Sequence, residues 1–398
     1  MVLRSDIEKA VLAQKQFLAK REAGIDRDQL NSLTLSEVIL IISGIRRCGK
    51  STLMQQLMTL SSGSSAFFNF EDPRIFGFEP GDLNKLAEVL GEVDSYFFDE
   101  IQNVERWEVF IRNLHDHKKQ ICITGSNASL LSRELGTRLT GRYIQLELFP
   151  FSFGEYLRYK KEERQPKSFR DYLQHGGFPE YLKNFNKEIL QQLFQDIIYR
   201  DVLVRHNIRN ARTLIDMTLF LISNVGKEYS LNKLRNSFDI GSTNSVAGYI
   251  SWLEDTYLLF SLPRFSWFAR RMAINPKKIY TIDTGFANAN SLSFTNDLGR
   301  LFENAVFIAL RKKHRELYYF KEKNECDFVV KKLDKITNVI QVCSEVHADN
   351  LDREIAGLEE ALHFFDLEEG IILTIEQQDT FERSGKKIKI VPAWQWFD

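Results

Sequence analysis

Gly44-Ile-Arg-Arg-Cys-Gly-Lys-Ser-Thr52 decides the fold of this chain, because it fits the pattern G-x-x-x-x-G-K-[ST] of a phosphate-binding loop. The flanking residues supply the setting that such a loop needs. Before it, Val38-Ile-Leu-Ile-Ile-Ser43 is short, apolar and rich in β-branched residues, as a buried parallel strand is. After it, Leu53, Leu57 and Met58 recur at helical spacing. Strand, glycine loop and helix follow in order, which predicts a P-loop core with a parallel sheet.

The chemistry asks for these residue types. Gly44 and Gly49 let the backbone turn so that successive N–H groups point at a β-phosphate, and the helix N-terminus adds partial positive charge. Lys50 supplies a mobile charge for the β- and γ-phosphates. Ser51 offers a hydroxyl to Mg²⁺, a hard cation that prefers oxygen. Arg47, Cys48 and Thr52 complete the predicted ATP-contacting set. Two readings of Cys48 stand: a small residue tolerated in a variable position, or a thiol whose pKa is lowered by Lys50 and the helix N-terminus and which senses oxidation.

A second apolar run, Ser95-Tyr-Phe-Phe98, leads into Asp99-Glu100. An acidic pair at the carboxyl end of a buried strand is costly unless a cation compensates it. Mg²⁺ at the phosphate loop would do so, with Asp99 holding the metal and Glu100 deprotonating the attacking water. A third run, Gln120-Ile-Cys-Ile-Thr124, ends in Gly125-Ser126-Asn127, where Ser126 or Asn127 could reach a γ-phosphate or the water. A helical stretch is expected next, then Arg142 before the β-rich Tyr143-Ile-Gln-Leu-Glu-Leu148. Arg142 is placed either as an arginine finger, which demands a homo-oligomer if it acts across an interface, or as a surface arginine paired with an acid.

At 398 residues the chain has room for two or three domains. The balance of 53 basic and 54 acidic residues carries no message about nucleic acid by itself. Met1 to Lys20 alternates charged and apolar residues, and no run reaches the ~18 apolar residues of a membrane span, so no membrane association and a cytoplasmic location are expected. The cysteines, Cys48, Cys122, Cys326 and Cys343, form no C-x-x-C pair and suggest neither zinc nor a disulfide framework.

Taken together, Ile45 to Leu53, Phe68-Asn-Phe-Glu-Asp-Pro-Arg74, Asp99-Glu-Ile-Gln-Asn103 with Trp107, Gly125-Ser-Asn-Ala128, Leu139-Thr-Gly-Arg142 and Phe149-Pro-Phe-Ser-Phe-Gly-Glu155 resemble a prokaryotic family of AAA-type ATPases with a C-terminal domain of unknown function. The resemblance covers nearly the whole chain. It implies an ATPase core at 1–150, with an N-terminal helix, and a helical lid at 151–200 closing over the nucleotide. It places Asn127 or Ser126 at the sensor 1 position. Within the lid, His175-Gly-Gly-Phe-Pro179 is either a turn that reads nucleotide state or a plain helix-to-helix turn.

Further on, Leu214–Val225, Leu231–Phe238 and Ser245–Leu259 are amphipathic, and Leu259-Phe-Ser-Leu262 reads as a wing strand, which predicts a winged helix at 201–262. Its recognition helix would start near Asn244 and Ser245. Tyr199 to Lys278 carries 12 basic and 6 acidic residues. Arg264, Arg270, Arg271, Lys277 and Lys278, interleaved with aromatics, are the predicted contacts to double-stranded DNA; packing without nucleic acid is the other reading.

Residues 263–398 are similar to a PD-(D/E)xK nuclease, an α/β restriction-endonuclease-like fold, with the last domain's first strand near Lys278, Glu303 on a helix and Asp327 on a strand. The following acid-x-lysine is replaced by Gln341 and Cys343, so cleavage is predicted absent. The expectation is an ATP- and Mg²⁺-dependent hydrolase that moves these C-terminal regions. Two alternatives are a slow nucleotide-gated switch acting on proteins and a DNA-binding regulator with a secondary ATPase.

Overall fold

The computed structural model describes all residues except 23, 34, 128–138, 140, 209, 293–296 and 398. The helix expected after Asn127 lies outside the described residues. The chain divides into two units, Met1–Phe149 and Pro150–Asp398.

The first unit is built on strands β1 (Ile39–Ser43), β2 (Ser65–Asn69), β3 (Ser95–Asp99), β4 (Gln120–Gly125) and β5 (Tyr143–Glu147). All pairings are parallel, in the order β2-β3-β4-β1-β5. Every residue of β1 and β3 is buried, as expected of a sheet covered on both faces. Helices α1 (Arg4–Lys20), α2 (Lys50–Leu60), α3 (Asp82–Leu90) and α4 (Trp107–Asp116) accompany it. Because β4 lies between β1 and β3, the loops leaving these three strands emerge side by side, with Ser43 opposite Gly125 and Phe98 opposite Ile123. That edge is where open α/β sheets place ligands. Ile7 and Ala10 bury α1 against the core, and Gln14 exchanges hydrogen bonds with the Asn69 backbone, its Nε2 donating to O at 3.1 Å and its Oε1 accepting from N at 2.8 Å.

The second unit opens with α5 (Phe153–Lys160), α6 (Pro166–His175) and α7 (Lys187–Asp196), which runs on into a π-helical segment, Ile197–Val204. Ser152 caps α5 in a reciprocal box with Glu155. The His175-Gly-Gly turn is fixed within this unit. Gly177 N donates to Asp283 Oδ2 at 2.6 Å, and its carbonyl accepts from Phe151 N at 2.8 Å. A Cβ on Gly177 would lie 2.2 Å from the Phe151 carbonyl oxygen, so only glycine fits.

Next come α8 (Ala211–Ser223), β6 (Glu228–Tyr229), α9 (Leu231–Ser237), α10 (Thr243–Asp255), β7 (Leu259–Pro263), α11 (Ala269–Ile274) and β8 (Lys277–Thr281). The three strands form one antiparallel sheet, β6-β8-β7. β8, expected to open the last domain, pairs with β7 from Leu259↔Thr281 to Pro263↔Lys277, and residues 264–276 are an excursion between paired strands.

After α12 (Thr284–Asn290) and α13 (Leu298–Lys313), a mixed sheet follows in the order β13-β14-β12-β11-β10-β9. Its strands are β9 (Glu316–Lys321), β10 (Glu325–Lys332), β11 (Lys335–Val342), β12 (Glu369–Thr374), β13 (Asp379–Arg383) and β14 (Lys386–Pro392). α14 (Ala348–Phe364) crosses from β11 to its parallel neighbour β12, and buries Ile355, Leu358 and Leu362 against Val329, Val339 and Ile372.

Candidate active site

The phosphate loop turns where its glycines allow it. Gly44 (φ 154°) and Gly49 (φ 103°) adopt backbone that side chains rarely take, and Arg47 joins them at φ 63°. A Cβ on Gly44 would sit 2.1 Å from the Leu148 carbonyl oxygen. Lys50 opens α2 with its side chain folded back, Nζ donating to the Gly44 and Ile45 carbonyls at 3.1 Å each. Its ammonium also lies 3.5 Å from Glu100 Oε1.

The acidic pair leaves β3 toward the same edge. Asp99 Oδ1 accepts from Thr124 Oγ1 at 2.5 Å and Oδ2 from Asn69 Nδ2 at 3.1 Å, while the nearby Ser51 hydroxyl favours its ionised form. Glu100 sits in the left-handed region (φ 53°, ψ 46°), unusual for a residue other than glycine, and this turns its carboxylate back toward Lys50. Gln102 Nε2 holds Glu100 Oε2 and also donates to Ser126 Oγ at 3.2 Å. Ser126 and Asn127 are buried at the end of β4, beside the loop.

Burial acts differently on the two acids. It pushes Asp99 up, with Glu100 adding to the effect. For Glu100 burial acts in the same sense, but Lys50, Gln102 and Arg46 outweigh it and hold the carboxyl below its usual value. Burial works against the Lys50 charge, yet Glu100, then Cys48 and Asp99, keep its pKa above the ordinary value. The site is thus arranged to keep Lys50 charged and Glu100 ionised.

Three of the assigned residues make contacts that bear on their readings. Burial pushes the Cys48 thiol up, which speaks for the reading of Cys48 as a small tolerated residue over that of an oxidation sensor. The Thr52 hydroxyl accepts a hydrogen bond from Arg21 Nη2 at 2.9 Å. Arg142 stands at the far end of the sheet: its carbonyl accepts from Ile39 N at the start of β1, and its guanidinium pairs with Asp116 at 2.9 Å. The loop leaves β1 four residues later, ~13 Å away at strand rise. Arg142 therefore does not reach its own chain's site.

The structure adds partners that the motifs did not reveal. Arg27, buried, donates to the Cys48 carbonyl at 2.9 Å and to the Phe149 carbonyl at 2.7 Å, clamping the loop to the end of the unit. Asn69, Gln102 and Thr124 hold the acidic pair. Asn69, Gln102 and Thr124 lie inside the runs quoted above, where their residue types alone assign no role, and Arg27 lies outside them.

In the second unit the basic residues assigned to DNA separate. Arg270 and Arg271 are exposed on α11, beside exposed Trp267 and Phe268, and Lys277 is half-buried. Arg264 pairs with Glu322 at 3.3 Å. Lys278 is buried among acids and unavailable to a phosphate backbone. Gln341 turns to Glu354, Nε2 donating at 3.1 Å, and Cys343 Sγ donates to the Glu345 carbonyl at 3.0 Å.

Residues 36–157 match a family model described as an AAA domain, and residues 166–297 match a domain of unknown function. An uncharacterized protein of Methanocaldococcus jannaschii, MJ1544, is 33% identical, the match covering 98% of this chain and 96% of that protein. An uncharacterized protein of Haemophilus influenzae is 28% identical, with 98% and 99% covered. Among solved structures, a Walker-type ATPase of Pyrococcus abyssi is 15% identical over 73% of this chain and 96% of its own, with a TM-score of 0.40, too low to assign any role.

Proposed function

The chain belongs to the same family as its Methanocaldococcus jannaschii relative and carries an AAA domain, and from that premise we propose that it binds ATP and hydrolyses it with Mg²⁺. The observation that carries this reading is the meeting of Lys50, Asp99 and Glu100 at the edge where β1, β3 and β4 end. Loop amides and Lys50 hold the phosphates. Glu100, kept ionised and oriented by Gln102, accepts the proton of the attacking water, and Asn127 aligns that water.

The donor set fits Mg²⁺. The Ser51 hydroxyl lies near enough to the Asp99 carboxylate to favour its ionised form, so two hard oxygens already sit near each other beside the loop. Bound there, Mg²⁺ neutralises charge developing on the phosphoryl oxygens.

The reading extends to the remaining regions. Arg142 serves a neighbouring subunit's site, which makes the active form a homo-oligomer. Helices α8 to α10 with β6 to β8 act as a winged helix, and the six-stranded sheet with α13 and α14 as a nuclease-like domain without cleavage. Double-stranded DNA is the proposed partner of the excursion between β7 and β8, supported by its exposed Trp267, Phe268, Arg270 and Arg271.

The test is ATP hydrolysis by the full chain with and without double-stranded DNA, at two salt concentrations. Stimulation that weakens with salt and disappears in Arg270→Ala/Arg271→Ala supports the reading. Hydrolysis indifferent to DNA at low salt removes the nucleic-acid part and leaves an ATPase directed at proteins.

A further inference from the structure

Lys278 lies on β8, in the three-stranded sheet, yet its ammonium points into the six-stranded one. Nζ is 3.0 Å from Glu303 Oε1 on α13, and 2.8 Å from both Glu325 Oε1 and Asp327 Oδ1 on β10. The lysine side chain is 3% exposed. Tyr280, two residues on along β8, donates its hydroxyl to the same Glu303 oxygen at 2.6 Å. On the far side, Val342 N donates to Asp327 Oδ2 at 3.0 Å, and Lys321 Nζ reaches Glu325 Oε2 at 3.0 Å.

Three carboxyl groups converging in a buried place need a cation. In nuclease-like folds such acids hold a divalent metal, and here the neighbouring positions are the uncharged Gln341 and Cys343. What stands among the acids instead is the chain's own ammonium, making three ion pairs. Burial opposes its charge, but Asp327, Tyr280, Glu303 and Glu325 together raise the Lys278 pKa well above its ordinary value.

We propose that Lys278 is the resident cation of this cluster: its ammonium takes the place of a divalent metal among Glu303, Glu325 and Asp327, closes the cluster to metal, and fastens the three-stranded sheet to the six-stranded one. The joint gives the three acids a cation from the chain itself. It also ties β7 and β8, which carry the exposed excursion, to a rigid support. The claim is independent of the ATPase assignment, since every residue in it lies in the second unit.

The experiment is thermal unfolding of the full chain in EDTA and in Mn²⁺, without nucleotide. Lys278→Met should lower the melting temperature by on the order of 10 °C, because it leaves buried carboxylates uncompensated. Adding Glu303→Gln and Asp327→Asn to Lys278→Met should restore most of that fall. Mn²⁺ should raise the melting temperature of Lys278→Ala, but not that of the wild type or of Lys278→Ala/Asp327→Asn. Should Lys278→Met fail to fold, the triple variant must still fold. The proposal is overturned if Lys278→Met melts with the wild type, if the triple variant is no better than the single, if Mn²⁺ leaves Lys278→Ala unchanged, or if Mn²⁺ stabilises the wild type through Asp327.

Discussion

Lys50 Nζ stands 3.5 Å from Glu100 Oε1, with both side chains almost sealed from water. The residue expected to hold the phosphates and the residue expected to prepare the water therefore compensate each other's charge. Phosphate approaching the loop competes with Glu100 for the same ammonium. Lys50→Ala removes a charged hydrogen-bond donor worth ~1.5–3 kcal/mol, so ATP affinity should fall about 10- to 100-fold by calorimetric titration. Unchanged affinity would mean that Lys50 does not face the phosphates.

Arg27 joins the phosphate loop to the end of the first unit through two backbone carbonyls, those of Cys48 and Phe149. Arg27→Ala leaves both short of a charged donor in a buried place and should cost about 3 kcal/mol of stability. Chemical denaturation should show the loss, and ATP affinity should fall with it, since the Cys48 carbonyl belongs to the loop. A variant as stable as the wild type would show that the clamp is dispensable.

Arg142 lies at the wrong end of its own sheet, paired with Asp116. If it completes a neighbour's site, Arg142→Ala and Glu100→Gln should each be nearly inactive alone. Mixed, they should recover hydrolysis, because some interfaces then combine an intact arginine with an intact glutamate. No recovery on mixing, or an active strict monomer, would assign Arg142 to the surface.

What the sequence makes legible here is what it keeps contiguous. The buried run of β1, the loop and the first turn of α2 form one uninterrupted stretch, and β3 and β4 each end in the polar residues that face it. The clamp and the second layer of the site are not legible, because Arg27 meets Cys48 and Gln14 meets Asn69 only through folding. Strand geometry bears on two of the basic residues. Side chains alternate along β8, so Lys277 and Lys278, adjacent and chemically alike, point to opposite faces, and Lys278 is the one turned into the acids. For Arg142, its place beside β5 was readable, but the parallel register that sets it level with the start of β1 was not.

Asp283 gives a pH dependence that can be isolated. Burial pushes its carboxyl up to about 6 from an ordinary 3.8, against hydrogen bonds from the Gly177 and Phe286 amides. With the folded value above the unfolded one, its contribution to stability is fully present below pH 3.8 and is lost as pH rises through about 6. Asp283→Asn should remove that dependence. The stability difference between wild type and variant should thus shift against the wild type by roughly 2 kcal/mol between pH 4 and 7. Parallel pH profiles for the two proteins would show that Asp283 titrates alike folded and unfolded.

The central claim is that Glu100 is the base of an ATP-hydrolysing site, and its most direct test is the rate of phosphate release from ATP with Mg²⁺, wild type against Glu100→Gln, with ATP affinity measured alongside. The account predicts a rate lower by about 10²- to 10⁴-fold with affinity little changed. A Glu100→Gln variant that hydrolyses ATP at the wild-type rate would contradict it.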